Sequence, residues 1–144
     1  MIAIGSDHGG FELKAIIKTY LEENGYEYFD CGTLDGSSVD YPDIAKIVCE
    51  KVQNNECEKG ILICGTGIGM NMCANKYKGI RAAQCHDTFS AKMTRKHNNA
   101  NVITMGGRVV GPELAKDIIK EFLTNEFEGG RHQTRVDKMM SIEK

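Results

Sequence analysis

A cysteine at the end of an apolar run, followed at once by alternating glycines, stands out as a place for chemistry: Ile61-Leu62-Ile63-Cys64-Gly65-Thr66-Gly67-Ile68-Gly69. A buried strand opening into a glycine-rich turn aims consecutive backbone N–H groups at one point, and such a nest holds an anion. The same N–H groups favour the sulfur as thiolate, so that it can take and return a proton. The pattern is that of a base or nucleophile beside an anion cradle. A cysteine closing a buried strand is more often an inert apolar filler, and the glycines after it weigh against that here. They do not make a dinucleotide fingerprint: Met70 stands where the third glycine of G-x-G-x-x-G belongs, although Asp87 lies at a suitable distance downstream. No Gly-Lys-Ser/Thr follows to make a P-loop.

Other groups that exchange protons or bind anions are spread along the chain. Asp7-His8 follows the first apolar segment, where Asp is also a favoured helix cap. His86-Asp87 and Gly106-Gly107-Arg108 follow two later segments. His97-Asn98 closes a helical pattern, where a cationic imidazole is mildly favoured. Arg131 and Arg135 would share one helix face and suit a phosphate, with a solvated polar stretch as the plain alternative. Histidines 8, 86, 97 and 132 include no H-x-x-x-H pair, so no metal is expected.

The elements that must position these groups alternate. Strands are expected over 1–5, 26–30, 60–64, 80–85 and 101–105. Helices are expected over 11–24, closed by Gly25, from Asp40-Tyr41-Pro42 onward, over 68–75 and 88–97, and from Gly111-Pro112 to the Gly129-Gly130 break. The segment 131–144 is polar and open to a further helix. The strands read as too apolar to have a wet face, which implies a three-layer αβα, doubly wound (Rossmann-like) domain on a five-stranded parallel sheet. In such folds ligands bind beyond the carboxyl ends of the strands. Asp7, His8, Cys64 to Gly69, His86 and Arg108 all fall at that edge. Helix direction carries His97 and the C-terminal arginines to the opposite one. If both groups serve one site, they meet across a subunit boundary.

Composition narrows the partners. A chain of 144 residues is expected to form one domain, 1–144. A formal charge of −2 gives no broad basic surface for nucleic acid, and no apolar segment approaches the ~20 residues of a membrane span. Small molecules are the expected ligands. The six cysteines, 31, 49, 57, 64, 73 and 85, show no C-x-x-C spacing, and the N-terminus runs straight into a strand. Reduced thiols and a cytoplasmic location are the expectation.

Taken in order, Gly5-Ser6-Asp7-His8-Gly9-Gly10-Phe11, Asp40-Tyr41-Pro42, the stretch from Gly60 to Gly69, Arg95-Lys96-His97-Asn98, Gly106-Gly107-Arg108-Val109-Val110-Gly111 and Glu128-Gly129-Gly130-Arg131-His132 resemble ribose-5-phosphate isomerase type B over nearly the whole chain. The resemblance implies interconversion of ribose 5-phosphate and ribulose 5-phosphate through an enediolate, within the non-oxidative pentose phosphate pathway. Cys64 matches the family's base. One branch of the family has serine there and a glutamate four residues on, where this chain has Ile68. Gly65, Thr66, Gly67 and Gly69 match the oxyanion cradle, and His97 the acid/base that opens the sugar ring, with Asp7 assisting. Tyr41 and Asn98 match sugar contacts, His8, Arg131 and Arg135 phosphate contacts, and Arg108 a further substrate-binding arginine. The resemblance implies no metal or cofactor. It also implies a homodimer or tetramer in which His97 and the C-terminal arginines act on the partner's site. Galactose and allose 6-phosphates are the competing substrates, and a sugar-phosphate or nucleotide-binding regulator without turnover is the rival class.

Overall fold

The computed structural model describes residues 1–143. Five strands run in parallel: β1 (Ile2–Ser6), β2 (Tyr28–Asp30), β3 (Lys59–Cys64), β4 (Ala82–Gln84) and β5 (Val102–Gly106). Their spatial order is β2-β1-β3-β5-β4. Six α-helices connect and cover them: α1 (Phe11–Glu23), α2 (Tyr41–Gln53), α3 (Ile68–Ala74), α4 (Thr88–Asn98), α5 (Pro112–Thr124) and α6 (Arg131–Met140). A single 3₁₀ turn, His8–Gly10, separates β1 from α1. The chain winds outward from β1 to β2, then crosses to β3 and beyond, so the switch point lies between β1 and β3.

Alternation along the buried strands produces the two faces. Ile4, Ile61, Ile63, Ile103 and Met105 pack against Leu13 and Ile17 of α1 and Ile118 and Phe122 of α5. Ala3, Leu62, Cys64 and Val102 face Val48 and Cys49 of α2 and Met70 of α3. This is the three-layer arrangement expected. The expected wholly dry strands hold only for β1, β3 and β5. The edge strands β2 and β4 each pair on one side alone, are half-exposed, and are shorter than the apolar runs 26–30 and 80–85. Ile80 and Cys85 are buried without joining a ladder. The open segment at the C-terminus is helical as α6; residue 144 lies outside the described residues.

The end of β2 and the loop after it are fixed to α1 by a buried ion pair. The Lys14 ammonium, 1% exposed, donates to Asp30 Oδ1 at 2.7 Å and to the Thr33 carbonyl at 2.5 Å. Lys18 reaches Asp30 Oδ2 at 2.8 Å, and the Gly32 N–H donates to Oδ1 at 2.9 Å. The loop in turn exchanges Thr33 N–H to Ser6 carbonyl and Ser6 N–H to Gly32 carbonyl bonds with β1, both 2.7 Å. Burial by itself would raise the Asp30 carboxyl, but the hydrogen bonds from Lys14, Lys18 and Gly32 outweigh it and hold the group below the ordinary carboxylate value. An unfolded chain protonates Asp30 at that ordinary value. The stability Asp30 supplies is therefore complete at neutral pH and is lost as the pH falls through and below the carboxylate range. Asp30→Asn strands the Lys14 ammonium and is expected to cost about 3 kcal/mol at neutral pH. Urea denaturation at neutral and acidic pH checks both parts: the wild type should lose stability on acidification more steeply than the variant.

Candidate active site

The carboxyl ends of β1, β3 and β5 converge at the switch point. Cys64 closes β3 with its side chain on the α2–α3 face and only 5% of its surface exposed. The Gly67 N–H donates to its Sγ at 3.2 Å. Gly67 adopts φ +80° as the cap of α3, and a Cβ there would meet the Met105 carbonyl carbon at 2.7 Å. Glycine is therefore required both by conformation and by space. The carbonyls of Cys64 and Gly65 accept from Gly107 N–H at 2.8 Å and Arg108 N–H at 3.1 Å. With their carbonyls held, the N–H groups of Gly65 and Thr66 find no backbone acceptor among the described residues.

Side chains then close around this turn. The ring of Tyr41, the first residue of α2, lies over Gly69, where a Cβ would stand 2.7 Å from it. The Arg108 guanidinium lies over Gly65, with Nη1 3.3 Å from where a Cβ would be, so within one chain Arg108 stands beside the cradle. Asp7 is buried, and its Oδ1 accepts from the Gly9 N–H at 2.9 Å, capping the 3₁₀ turn as an Asp in that place would. His8 is exposed in the same turn. The Thr66 hydroxyl accepts from the Ile68 N–H at 3.3 Å.

Two residues from the β4 side support the turn: Gln84, which carries no sequence signal, and His86, which the sequence places at this edge without giving it a role. Gln84 Nε2 donates to the Thr66 carbonyl at 2.8 Å. The Gly106 N–H donates to His86 Nε2 at 3.0 Å, which puts the proton of a neutral His86 on Nδ1. Both props reach in from β4 and its exit, so the edge strand orients a cradle it does not form.

The remaining expected residues lie elsewhere. Cys64 pairs with Gly106 at one end of the β3–β5 ladder, whereas Gly60 pairs with Val102 at the other. His97 sits at the end of α4, just before β5 begins. The two residues are thus separated within one chain by a strand's length, about 13 Å for four residue steps. His97, Asn98, His132 and Arg135 line a separate cavity of about 350 Å³ with Val136 and Met139 of α6. Arg131 is exposed on the first turn of α6. The imidazoles of His97 and His132 stack, centroids 4.1 Å apart and planes 10° from parallel. Burial, then the neighbouring His97 and Arg131, lower the His132 imidazole below its ordinary value. A larger cavity of about 770 Å³ runs along β4 beside α4 and the end of α6, past Arg81, Ala83, Met140 and Ile142. It touches neither Cys64 nor His97.

These features define a doubly wound α/β protein with a backbone-lined cradle and a thiol at its switch point. The ribose/galactose isomerase family matches residues 2–139. A ribose-5-phosphate isomerase B of Clostridium thermocellum superposes with a TM-score of 0.96 at 52% identity, covering 98% of this chain and 95% of that one. A ribose-5-P isomerase B of Listeria innocua is 49% identical over 99% of this chain and 96% of its own. A D-erythrulose-4-phosphate isomerase of Pectobacterium atrosepticum is also 49% identical, over 96% of this chain and 91% of its own. The chain belongs to the ribose/galactose isomerase family and is therefore an isomerase.

Proposed function

We propose that the protein interconverts D-ribose 5-phosphate and D-ribulose 5-phosphate, with Cys64 as the base. The observation that carries this reading is the Gly67 N–H on Cys64 Sγ at the mouth of the glycine turn. The thiolate takes the proton from C2 of the open-chain aldose, and the electron pair moves onto the carbonyl oxygen at C1. Donors of the turn, Gly65, Thr66, Gly67 and Gly69, meet the resulting oxyanion; one such donor is typically worth about 3 kcal/mol in the transition state. A proton passes from O2 to O1, leaving the charge on O2; as that oxygen's electron pair forms the C2 carbonyl, the C1=C2 pair takes the proton back from the thiol at C1 and the thiolate is regenerated. With Ile68 where a glutamate would stand, no carboxylate on the turn competes for the role.

Ribose 5-phosphate is mostly a closed furanose, so an acid/base must open the ring first. His97 serves there, with Asp7 assisting, since an imidazole can both give and take a proton. Tyr41, Asn98 and Arg108 contact the sugar, and His8, Arg131 and Arg135 the phosphate. Because His97, Asn98 and the C-terminal arginines occupy the opposite sheet edge, a partner subunit supplies them, and the working unit is a homodimer or a tetramer of such dimers. The enzyme works in the cytoplasm, in the non-oxidative pentose phosphate pathway.

A coupled assay for ribulose 5-phosphate tests the activity directly. Binding without turnover would sink the isomerase assignment in favour of a regulator. The erythrulose phosphate relative favours one rival substrate, so the assay is run against D-erythrulose 4-phosphate and allose and galactose 6-phosphates too. Highest kcat/KM on ribose 5-phosphate is expected.

Phosphate recognition gives a separate expectation. Arg131→Met and Arg135→Met should each raise KM by about tenfold or more, as expected for losing a charge-assisted contact of about 1.5–3 kcal/mol. The effect on kcat should be smaller. An unchanged KM for either variant would return that arginine to a solvated helix face.

A further inference from the structure

Three potential ligands converge away from the Cys64 cradle. After α5 the chain returns to α4 through a bond from the Glu128 N–H to the Lys96 carbonyl at 3.0 Å. This brings the Glu128 carboxylate beside the end of α4. Its Oε1 lies 3.3 Å from His97 Nε2 and 3.6 Å from His132 Nε2. The second approach is too long for a hydrogen bond, so pairing alone does not account for the cluster. One ligand atom from each of the three side chains lies within 4.8 Å of the others.

The separations suit a particular kind of cation. In a tetrahedral site with bonds of about 2.0–2.1 Å, neighbouring ligand atoms stand roughly 3.3 Å apart. The two His–Glu edges, 3.3 and 3.6 Å, are close to that already. The third edge, between the imidazole nitrogens, closes when the rings turn about their Cβ–Cγ bonds and unstack. Two imidazoles and one carboxylate are the donors of zinc and its transition-metal neighbours, whereas calcium and magnesium take oxygen. The ligands come from α4, α6 and the loop between α5 and α6; His97 and Glu128 are 42% and 49% exposed and His132 12%, so the fourth position opens on the side of His97 and Glu128. Arg135 lines the same cavity, and its charge limits the affinity.

We propose that His97, Glu128 and His132 form a binding site for a divalent cation of the Zn²⁺ class, and that a cation there withdraws the His97 imidazole from ring opening. The second half rests on the role given to His97 above; the first half does not. Titration of the intact protein with Co²⁺ reads the site directly. Visible bands of a tetrahedral nitrogen/oxygen site are expected, displaced by Zn²⁺, without the intense near-ultraviolet band that a thiolate ligand adds. Glu128→Gln and His132→Asn should each weaken Co²⁺ binding about tenfold or more, since even an outer-shell partner is worth that much. Cys64→Ser should leave it unchanged. A sulfur band, or undiminished affinity in either the Glu128 or the His132 variant, would overturn the site. Zn²⁺ should then inhibit isomerisation at the concentrations at which it binds, reversed by EDTA; full activity with the metal bound would overturn the inhibitory half. A protein that binds Co²⁺ as described yet isomerises no sugar phosphate keeps the site and removes the proposed function instead.

Discussion

Cys64→Ser is expected to lower kcat by about 10²–10⁴-fold, the usual range for removing a positioned base, while leaving the affinity for a non-reacting sugar phosphate nearly unchanged. A serine hydroxyl is far less acidic than a thiol, and the single Gly67 N–H, 3.2 Å from Sγ in the wild type, cannot make it a comparable base. Neither Thr66 nor Ile68 on the same turn offers a replacement. The fold should be unaffected, because the substitution changes one atom of a small buried side chain. Exchange of the C2 proton with deuterated water isolates the step: it should vanish with turnover in the variant. Near-normal exchange in Cys64→Ser chains would assign the base to another group.

Mixing two inactive proteins should produce an active one. In the proposed mechanism Cys64→Ser removes the base and His97→Asn the acid/base for ring opening, so each proposed homodimer would carry the same defect in both sites. If each site takes Cys64 from one chain and His97 from the other, a mixed dimer has one doubly altered site and one intact site. Co-refolding equal amounts makes half the dimers mixed and should restore about 25% of wild-type activity. Purified mixed dimers, tagged differently on each chain, should reach about 50%. Verified mixed dimers with no regained activity would place both residues in one chain's site, against the strand's length that separates them.

The sequence disclosed what is local and repeated. The apolar runs of β1, β3 and β5 have both faces buried, so hydropathy marks them, whereas β2 and β4 lose their ends because an edge strand keeps only what one neighbour can pair. Cys64 and its glycines were legible because the cradle is made of consecutive residues. Gln84 was not, and His86 was placed at the right edge without its role: they meet Thr66 and Gly106 across 18 and 20 residues, and no periodicity encodes such a contact. Nothing in the helical pattern of α1 marks Lys14 as almost wholly buried, because the cause is Asp30, sixteen residues on. Glu128 entered only as part of a motif, and its approach to His97 and His132 depends on how the loop after α5 folds back. The opposite placement of Cys64 and His97 was readable from strand and helix direction alone.

The bond from Glu128 N–H to the Lys96 carbonyl, with the packing of α6 against α4, holds His97 and Arg135 together as one unit within a chain. The cradle, with Cys64, Tyr41 and Arg108, is another. In a shared site the two bodies face each other from different chains, and the substrate is gripped between them like a rod between the jaws of a calliper. The number of carbons that fits is then a property of subunit spacing. If the proposed dimer forms, a change at its contact, touching no residue that meets the sugar, is expected to shift preference among four-, five- and six-carbon phosphates.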